Sequence, residues 1–125
     1  MSAILIIEDN EKNMKLVRDV LQYKGYQTLE AATGMDGLRL AREKKPALVL
    51  MDIQLPDIDG ITALRRLRED PETQNISVVA VSASVMPDEQ QKIVAAGFDA
   101  YVTKPINVKG FIATVEKFVG KPQGK

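Results

Sequence analysis

The sequence predicts an α/β fold in which a parallel sheet is covered by helices on both faces. Short apolar runs alternate along the chain with stretches of helical periodicity, which is the pattern of repeated βα units. The apolar runs are continuous rather than alternating, as expected for strands that are buried on both faces. The five predicted strands lie at residues 3–7, 26–31, 47–51, about 76–81 and 100–103.

A predicted helix follows each strand, and capping or breaking residues mark its ends. Thr33 is a candidate N-cap, and Pro87 suits the first turn of a helix. Natural helix stops follow at Gly25, Gly97 and Gly120. The predicted helices cover about 11–24, 34–44, 61–69, 87–96 and 108–119. Helical spacing predicts core-facing positions at Met14, Val17, Leu21, Leu64, Leu67, Ile93 and Val94.

The strand order follows from the repeated units. Five βα units with right-handed crossovers predict a doubly wound, flavodoxin-like (βα)5 parallel sheet with the order 2-1-3-4-5. In that order strands 1, 3, 4 and 5 are consecutive neighbours, whereas strand 2 lies at an edge. Residues 1–120 are expected to form one domain and residues 121–125 a short polar tail, because the chain shows no linker and no internal repeat.

Composition excludes several classes of function. Lys plus Arg and Asp plus Glu number 17 each, and the resulting zero net charge argues against nonspecific binding of nucleic acid or anionic membranes. The chain has no cysteine and no histidine, which excludes disulfides, thiolate chemistry and the commonest zinc ligands. We expect a cytoplasmic protein, because the chain begins without a signal peptide and no apolar run approaches the roughly 20 residues of a membrane span.

Polar residues end the four strands that are predicted to be neighbours. Strand 1 runs into Glu8 and Asp9, strand 3 into Asp52, strand 4 into Ser82 and strand 5 into Lys104. Ligands of open α/β sheets bind beyond the carboxyl ends of the strands, so these side chains are expected to meet in space. Three carboxylates, one hydroxyl and one ammonium in a single cleft predict a metal-dependent phosphoryl acceptor site.

The acids suggest a nucleophile and a metal site, and each suggestion has a simpler alternative. The Asp52 carboxylate can attack a phosphoryl donor and form an acyl phosphate, although Asp is also common in turns and helix caps. Glu8 and Asp9 are adjacent like charges that a hard cation such as Mg²⁺ would neutralise, with Glu8 acting through a bound water. Alternatively, Asp9 or Asn10 serves as the cap of helix 1.

Lys104, Ser82 and Tyr101 complete the candidate site. A cis bond between Lys104 and Pro105 is predicted, which would aim the ammonium inward to pair with Asp52 and later with a phosphoryl oxygen. The Ser82 hydroxyl could donate to the same phosphoryl group, and Tyr101 could swing inward and outward in step with it. The respective alternatives are a surface lysine, a capped turn and a half-buried packing residue.

Together these motifs resemble the receiver domain of bacterial response regulators, over the whole length of the chain. The matching pieces, in order, are Ile7-Glu8-Asp9-Asn10, Met51-Asp52-Ile53-Gln54-Leu55-Pro56, Asp59-Gly60, Val81-Ser82-Ala83 and Tyr101-Val102-Thr103-Lys104-Pro105. The first piece, continued by Glu11, and the second are especially similar to the single-domain DivK-type regulators of alphaproteobacteria. The resemblance implies a CheY-like fold and a role in cell-cycle signalling.

The resemblance also implies a role for each acid. Asp52 would be the phosphoacceptor. Mg²⁺ would be held by Asp9, Asp52 and the backbone carbonyl of Gln54, while Glu8 acts through water.

For the remaining site residues the resemblance implies contact and switching. Lys104 would contact the phosphoryl group, and Ser82 and Tyr101 would be the switch pair. Many receivers carry Thr where this chain has Ser82, and Ser lacks the β-branch that restricts the rotamer. Gln54 and Ser84 occupy positions that tune hydrolysis of the acyl phosphate in the family.

The implied function is that of a phosphorylated signalling protein rather than an enzyme, with only self-catalysed transfer and slow autodephosphorylation. A sensor histidine kinase or a histidine phosphotransfer protein would supply the phosphoryl group, docking on helix 1 and the loop at Lys104-Pro105. With no DNA-binding domain, the output would be contact of a downstream protein with helix 4, strand 5 and helix 5. We expect a monomer or a weak dimer.

Three other classes of protein compete with this interpretation. Phosphatases with an aspartyl nucleophile commonly carry a second Asp two residues later, where this chain has Gln54. A flavodoxin-like FMN binder needs hydroxyl and glycine loops around a phosphate, whereas the predicted site is acidic. A degenerate receiver that serves only as an interaction module would not need the intact acidic set.

Overall fold

Five parallel strands form one sheet in the order β2-β1-β3-β4-β5. The computed structural model describes residues 3–83 and 86–121, so residues 122–125 of the predicted tail and the family's tuning position at Ser84 lie outside the described residues. The strands are β1 (Ala3–Ile7), β2 (Gln27–Ala31), β3 (Leu48–Asp52), β4 (Ser77–Ser82) and β5 (Ala100–Thr103). The predicted fold class and strand order are confirmed.

A helix follows every strand, as predicted. The helices are α1 (Glu11–Tyr23), α2 (Gly34–Lys44), α3 (Gly60–Glu69), α4 (Pro87–Ala96) and α5 (Val108–Val119). Each predicted boundary lies within one residue of the observed one. The small differences matter at two positions, because Asp52 and Ser82 are the last residues of β3 and β4 rather than the residues that follow them.

The sheet is covered on both faces because successive strand residues point to opposite sides of it. Helices α1 and α5 pack on one face, and α2, α3 and α4 pack on the other. The strand residues of the first core are Ile4, Ile6, Leu48, Leu50, Val79 and Val81. Those of the second core are Leu5, Ile7, Ala31, Val49, Met51, Val78 and Ala80. A continuous apolar strand therefore serves two cores at once, which is why the sequence lacks polar alternation.

Helix caps settle one of the alternatives at the site. The Asn10 side chain accepts a hydrogen bond from the Asn13 backbone N–H at 3.0 Å and is therefore the N-cap of α1. Thr33 caps α2 in the same way, as predicted. Since Asn10 fills the capping role at α1, the exposed Asp9 carboxylate is not engaged as that cap.

One predicted core position is wrong. Ile93 is buried at 1% exposure, but Val94, which was expected to face inward beside it, is 61% exposed. Consecutive residues of an α-helix are about 100° apart around its axis, so both cannot face the sheet. Ile93 takes the inward direction, and Val94 lies on the outer surface of α4.

Among the described residues, no helix combines the length and the apolar character that crossing a membrane requires.

Candidate functional site

The carboxyl ends of β1, β3, β4 and β5 bring the predicted site residues together. Asp52 is paired in register with Val81, and the Ile53 backbone N–H donates to the Val81 carbonyl at 3.1 Å. On the other side of β4, the Lys104 backbone N–H donates to the Ser82 carbonyl at 2.8 Å. The end of β4 thus holds the Asp52 and Lys104 backbones on either side of itself.

Asp52 lies at the centre of the site. It is only 6% exposed. One carboxylate oxygen, Oδ2, accepts from the Lys104 ammonium at 3.0 Å, and Oδ1 accepts from the Gln54 backbone N–H at 3.0 Å. The predicted pairing of Asp52 with Lys104 is confirmed, and the Lys104-Pro105 bond is cis as predicted. Both oxygens of the carboxylate are therefore oriented by protein donors.

Glu8 has a contact that sequence reasoning missed. Its Oε1 pairs with the Lys104 ammonium at 3.0 Å, while Oε2 accepts from the Asn10 backbone N–H at 3.1 Å. Burial and a hydrogen bond with Asp52 raise the pKa of Glu8, and the bonds from Asn10 and Lys104 only partly offset that rise. Glu8 is thus a buried acid that shares one cation with a second acid.

Lys104 is the cation common to both acids. Burial by itself lowers the pKa of this ammonium, but the hydrogen bonds to Asp52 and Glu8 outweigh burial, so the pKa is raised above its ordinary value. The side chain retains 19% exposure. An ammonium that stays charged at neutral pH next to Asp52 can bind a further anion that reaches the site from solvent.

The carboxylates fit a divalent cation. Glu8, Asp9 and Asp52 each offer one oxygen, and these three oxygens lie within 4.8 Å of one another. Mg²⁺ prefers a few carboxylates and carbonyls and keeps several waters. Two of the acids are buried and Asp9 is exposed, so the cluster opens to solvent on one side. The donor set therefore suits the metal that the sequence suggested.

The two residues predicted to be a switch pair lie on neighbouring strands. Ser82 is buried at the end of β4, and Tyr101 is half-buried in β5. Tyr101 lines a groove of about 400 Å³ against α4, whose other lining residues are Pro87, Gln90, Gln91, Val94 and Ala95. The exposed Val94 and the groove beside Tyr101 therefore belong to one surface.

Gly60 sets the path of the segment that follows Asp52. Its backbone N–H donates to the Ile53 carbonyl at 2.8 Å, which closes the 53–60 segment on itself. A Cβ at this position would lie 2.8 Å from Ile53 Cα and 2.9 Å from the Asp52 carbonyl oxygen. Both neighbours are backbone atoms, so they cannot rotate away as a flexible side chain could.

Gly60→Ala is therefore expected to lower the free energy of unfolding by about 1–3 kcal/mol, the usual cost of overpacking. Gly110→Ala is the matched control, because a Cβ there meets only Asn107 at 3.6 Å. That control should raise stability by up to about 1 kcal/mol, since Ala favours a helix over Gly. Urea denaturation followed by circular dichroism compares both variants with the wild type. A Gly60→Ala protein as stable as the wild type would contradict the close approach.

A sheet of this order with an acidic cluster and a lysine at its strand ends is the arrangement that the receiver-domain resemblance implied. The chain belongs to the response regulator receiver domain family, whose model matches residues 4–116. It is a two-component signalling protein rather than a true enzyme, and the resemblance drawn from the motifs is confirmed.

Individual relatives narrow the similarity. The chain is 43% identical over 118 residues to the polar-differentiation response regulator DivK of Brucella anthropi, covering 94% of this chain and 96% of that protein. The DivK of Brucella ovis is similar to the same extent. The chain is therefore DivK-like.

Solved structures agree in fold. A response regulator from Chloroflexus aurantiacus superposes with a TM-score of 0.90 at 25% identity, over 96% of this chain and 98% of that one. The receiver domain of the sensor histidine kinase PA1611 from Pseudomonas aeruginosa has a TM-score of 0.88 at 26% identity, with the same coverage. Its crystal structure holds a magnesium ion coordinated in the active-site cleft.

Proposed function

We propose that this protein accepts a phosphoryl group on Asp52 from a phosphohistidine, with the help of Mg²⁺, and signals by protein contact. The observation that carries the proposal is the setting of Asp52. Its buried carboxylate lies 3.0 Å from the Lys104 ammonium and within one cluster with Glu8 and Asp9. An anionic nucleophile surrounded by acids needs cations nearby if it is to approach an anionic donor. The acidic cluster can bind a metal cation, and Lys104 supplies a second positive charge.

The chain's own groups account for the transfer step. An Asp52 oxygen attacks phosphorus, the O–P bond forms and the P–N bond to the donor imidazole breaks, with its electron pair leaving on nitrogen. The Lys104 ammonium neutralises charge on the transferred group, because phosphoryl transfer depends on positioning and charge stabilisation. Gln54, two residues after the nucleophile, offers no acid for rapid hydrolysis, which supports a phosphoprotein rather than a phosphatase.

The metal is expected in the acidic cluster. Asp9, Asp52 and the backbone carbonyl of Gln54 would hold Mg²⁺ directly, and Glu8 would act through water. When bound, the ion supplies charge neutralisation at the oxygens of the phosphoryl group. The oxygen donors of this cluster support the assignment, as does the magnesium ion in the PA1611 receiver domain.

Phosphorylation would change the conformation of Ser82 and Tyr101, and through them the surface that a downstream protein binds. After transfer, the Ser82 hydroxyl and Lys104 gain a phosphoryl oxygen as a partner, and Tyr101 moves with Ser82. A shift of the two-state equilibrium from 1:99 to 99:1 requires roughly 5.5 kcal/mol of differential binding. The surface formed by α4, β5 and α5 then changes, and the exposed Val94 beside Tyr101 provides apolar area for a downstream protein.

The partners belong to a cytoplasmic phosphorelay. A sensor histidine kinase or a histidine phosphotransfer protein supplies the phosphoryl group and docks on α1 and the Lys104-Pro105 loop. Residues 1–120 act as one receiver domain. The protein is a monomer or a weak dimer. The similarity to DivK supports a role in cell-cycle and polarity signalling.

The proposal is tested by incubation with acetyl phosphate, an acyl phosphate that can replace the protein donor. Intact mass spectrometry should detect one added phosphoryl group in the presence of Mg²⁺. The same reaction with EDTA in place of Mg²⁺ should leave the mass unchanged. A protein that stays unmodified with Mg²⁺ would refute the acceptor function, and equal modification with EDTA would refute the metal requirement.

A further inference from the structure

The segment 53–59, between β3 and α3, is tied to a helix that plays no part in the site. Asp57 Oδ1 accepts from the Gly34 backbone N–H at 2.8 Å, and Oδ2 accepts from the Met35 backbone N–H at 2.8 Å. Both donors are at the start of α2. The carboxylate therefore connects the segment that carries Gln54 to the N-terminus of a neighbouring helix.

This contact completes the cap of α2. The first N–H groups of a helix have no partner within the helix. Thr33 accepts hydrogen bonds from the third and fourth N–H groups of α2. Its hydroxyl accepts from the Asp36 N–H at 3.1 Å, and its carbonyl accepts from the Gly37 N–H at 3.0 Å. Asp57 accepts from the first two N–H groups, those of Gly34 and Met35. It also places a negative charge at the positive end of the helix dipole. The hydrogen bonds from Met35 and Gly34 lower the pKa of Asp57, despite an opposing effect of burial.

Packing holds the same two elements in contact. A Cβ on Gly34 would lie 2.6 Å from Ile58 Cγ1 and 3.3 Å from Asp57 Oδ1. The glycine therefore lets the segment approach the helix closely enough for both hydrogen bonds to form. A side chain at position 34 would push Ile58 and Asp57 away from α2.

Further hydrogen bonds attach the segment at its two ends. The Gln54 N–H donates to Asp52 Oδ1 at 3.0 Å, and the Gly60 N–H donates to the Ile53 carbonyl at 2.8 Å. In the middle of the segment, Asp57 supplies the hydrogen bonds to α2, and Leu55 and Ile58 pack against the core. Movement of the segment away from α2 would also move the Gln54 backbone. That movement would disturb the site, because the Gln54 N–H is hydrogen-bonded to the Asp52 carboxylate.

We propose that Asp57 is a positioning residue of the acidic site: its anchor on α2 holds the Gln54 backbone beside Asp52. The part that concerns Mg²⁺ rests on the proposed function, because it takes the Gln54 carbonyl as a metal ligand. The part that concerns the order of the segment stands on the hydrogen bonds alone.

The test compares Asp57→Asn with Asp59→Asn. Both acids are exposed and both changes remove one negative charge from the same segment. Asp59 caps only α3, through the Thr62 N–H at 2.7 Å, and Asn is as good a cap as Asp. At position 57 an amide replaces one of the two acceptor oxygens with an NH₂ group, which is a donor and cannot accept from a backbone N–H. The arrangement of one carboxylate oxygen for each of the Gly34 and Met35 N–H groups is therefore broken.

Two measurements are made on each full-length variant. NMR hydrogen exchange of the Gln54 amide should accelerate roughly fivefold in Asp57→Asn, the equivalent of about 1 kcal/mol for a lost capping bond. Calorimetric titration with Mg²⁺ should give an affinity weaker on the order of tenfold, as for other residues that orient a metal ligand. Asp59→Asn should match the wild type in exchange, and any change in its affinity measures the lost charge alone.

The outcomes separate the two proposals. Gln54 exchange in Asp57→Asn equal to that in Asp59→Asn overturns the positioning role, whatever the metal does. If exchange is faster in Asp57→Asn but both variants bind Mg²⁺ with the same affinity, the claim that Asp57 positions a metal ligand is overturned. A wild type that binds no Mg²⁺ refutes the metal part of the proposed function, while the exchange measurement still decides the anchor. If Asp57→Asn unfolds globally, Asp57→Ser supplies a second variant with a shorter acceptor for the same comparison.

Discussion

Asp52→Asn is expected to remain folded and to take up no phosphoryl group from acetyl phosphate and Mg²⁺. Asn has the shape of Asp, but its amide oxygen carries no full negative charge and does not attack phosphorus. The substituted side chain still offers an oxygen to Lys104 or to the Gln54 N–H. The effect is therefore a complete loss of labelling rather than a loss of structure, and intact mass together with circular dichroism separates the two.

The neighbouring acids provide the controls for this experiment. Glu8→Gln and Asp9→Asn remove a charge from the same cluster but leave Asp52, the proposed nucleophile, in place. Both are expected to become labelled, more slowly than the wild type, because the cluster binds a cation less tightly. Labelling of Asp52→Asn to the wild-type extent would show that another residue is the acceptor.

Lys104→Met is expected to destabilise the protein by roughly 3 kcal/mol at neutral pH without divalent ions. Removing one partner of a buried ion pair leaves an uncompensated charge, and the cost is about 3–5 kcal/mol for fully buried pairs. Lys104 keeps 19% exposure, which favours the lower end of that range. Two buried acids, Glu8 and Asp52, then face each other without their shared cation.

The destabilisation should depend on pH in a defined direction. The pKa of Glu8 is already above its ordinary value of 4.5 and rises further when the ammonium is removed. A carboxyl group whose pKa is higher in the folded state than in the unfolded state lowers the free energy of unfolding when it is ionised. This destabilisation disappears as the group binds a proton. The difference in stability between Lys104→Met and the wild type should therefore narrow as the pH falls through the raised pKa of Glu8 toward 4.5.

Urea denaturation at neutral and acidic pH, with and without Mg²⁺, tests this expectation. Mg²⁺ should stabilise Lys104→Met more than the wild type, because the ion takes over the neutralisation of the two acids. Lys12→Met, at an exposed position of α1, is the control and should change stability by less than about 0.5 kcal/mol. A Lys104→Met protein as stable as that control would contradict the role of the ammonium.

Much of the site could be predicted because it depends on local patterns and on topology. Each strand of the site is a short apolar run, and a polar residue ends it or follows it directly. Few arrangements of βα units satisfy the right-handed crossover rule, so the strand order follows from the alternation of elements. Asp52 and Lys104, 52 residues apart, could be paired in this way before any distance was known.

Rotation of a helix about its own axis could not be predicted where the pattern was ambiguous. Ile93 and Val94 are adjacent apolar residues in α4, and helical spacing alone does not say which of them faces the sheet. Packing against β5 and α3 decides that Ile93 is buried and that Val94 contributes to the outer surface. The apolar area available to a partner is a result of that choice.

By itself, the sequence determined the fold class, the strand order and the set of side chains that gather at one edge of the sheet. Only the tertiary structure decided how those side chains bind each other. Glu8 lies three strands from β5, at about 4.8 Å per strand, yet it shares the Lys104 ammonium with Asp52. Asp57 likewise reaches α2, 22 and 23 residues away in the chain. Such contacts depend on the direction and reach of single side chains after packing, which periodicity along the chain does not encode.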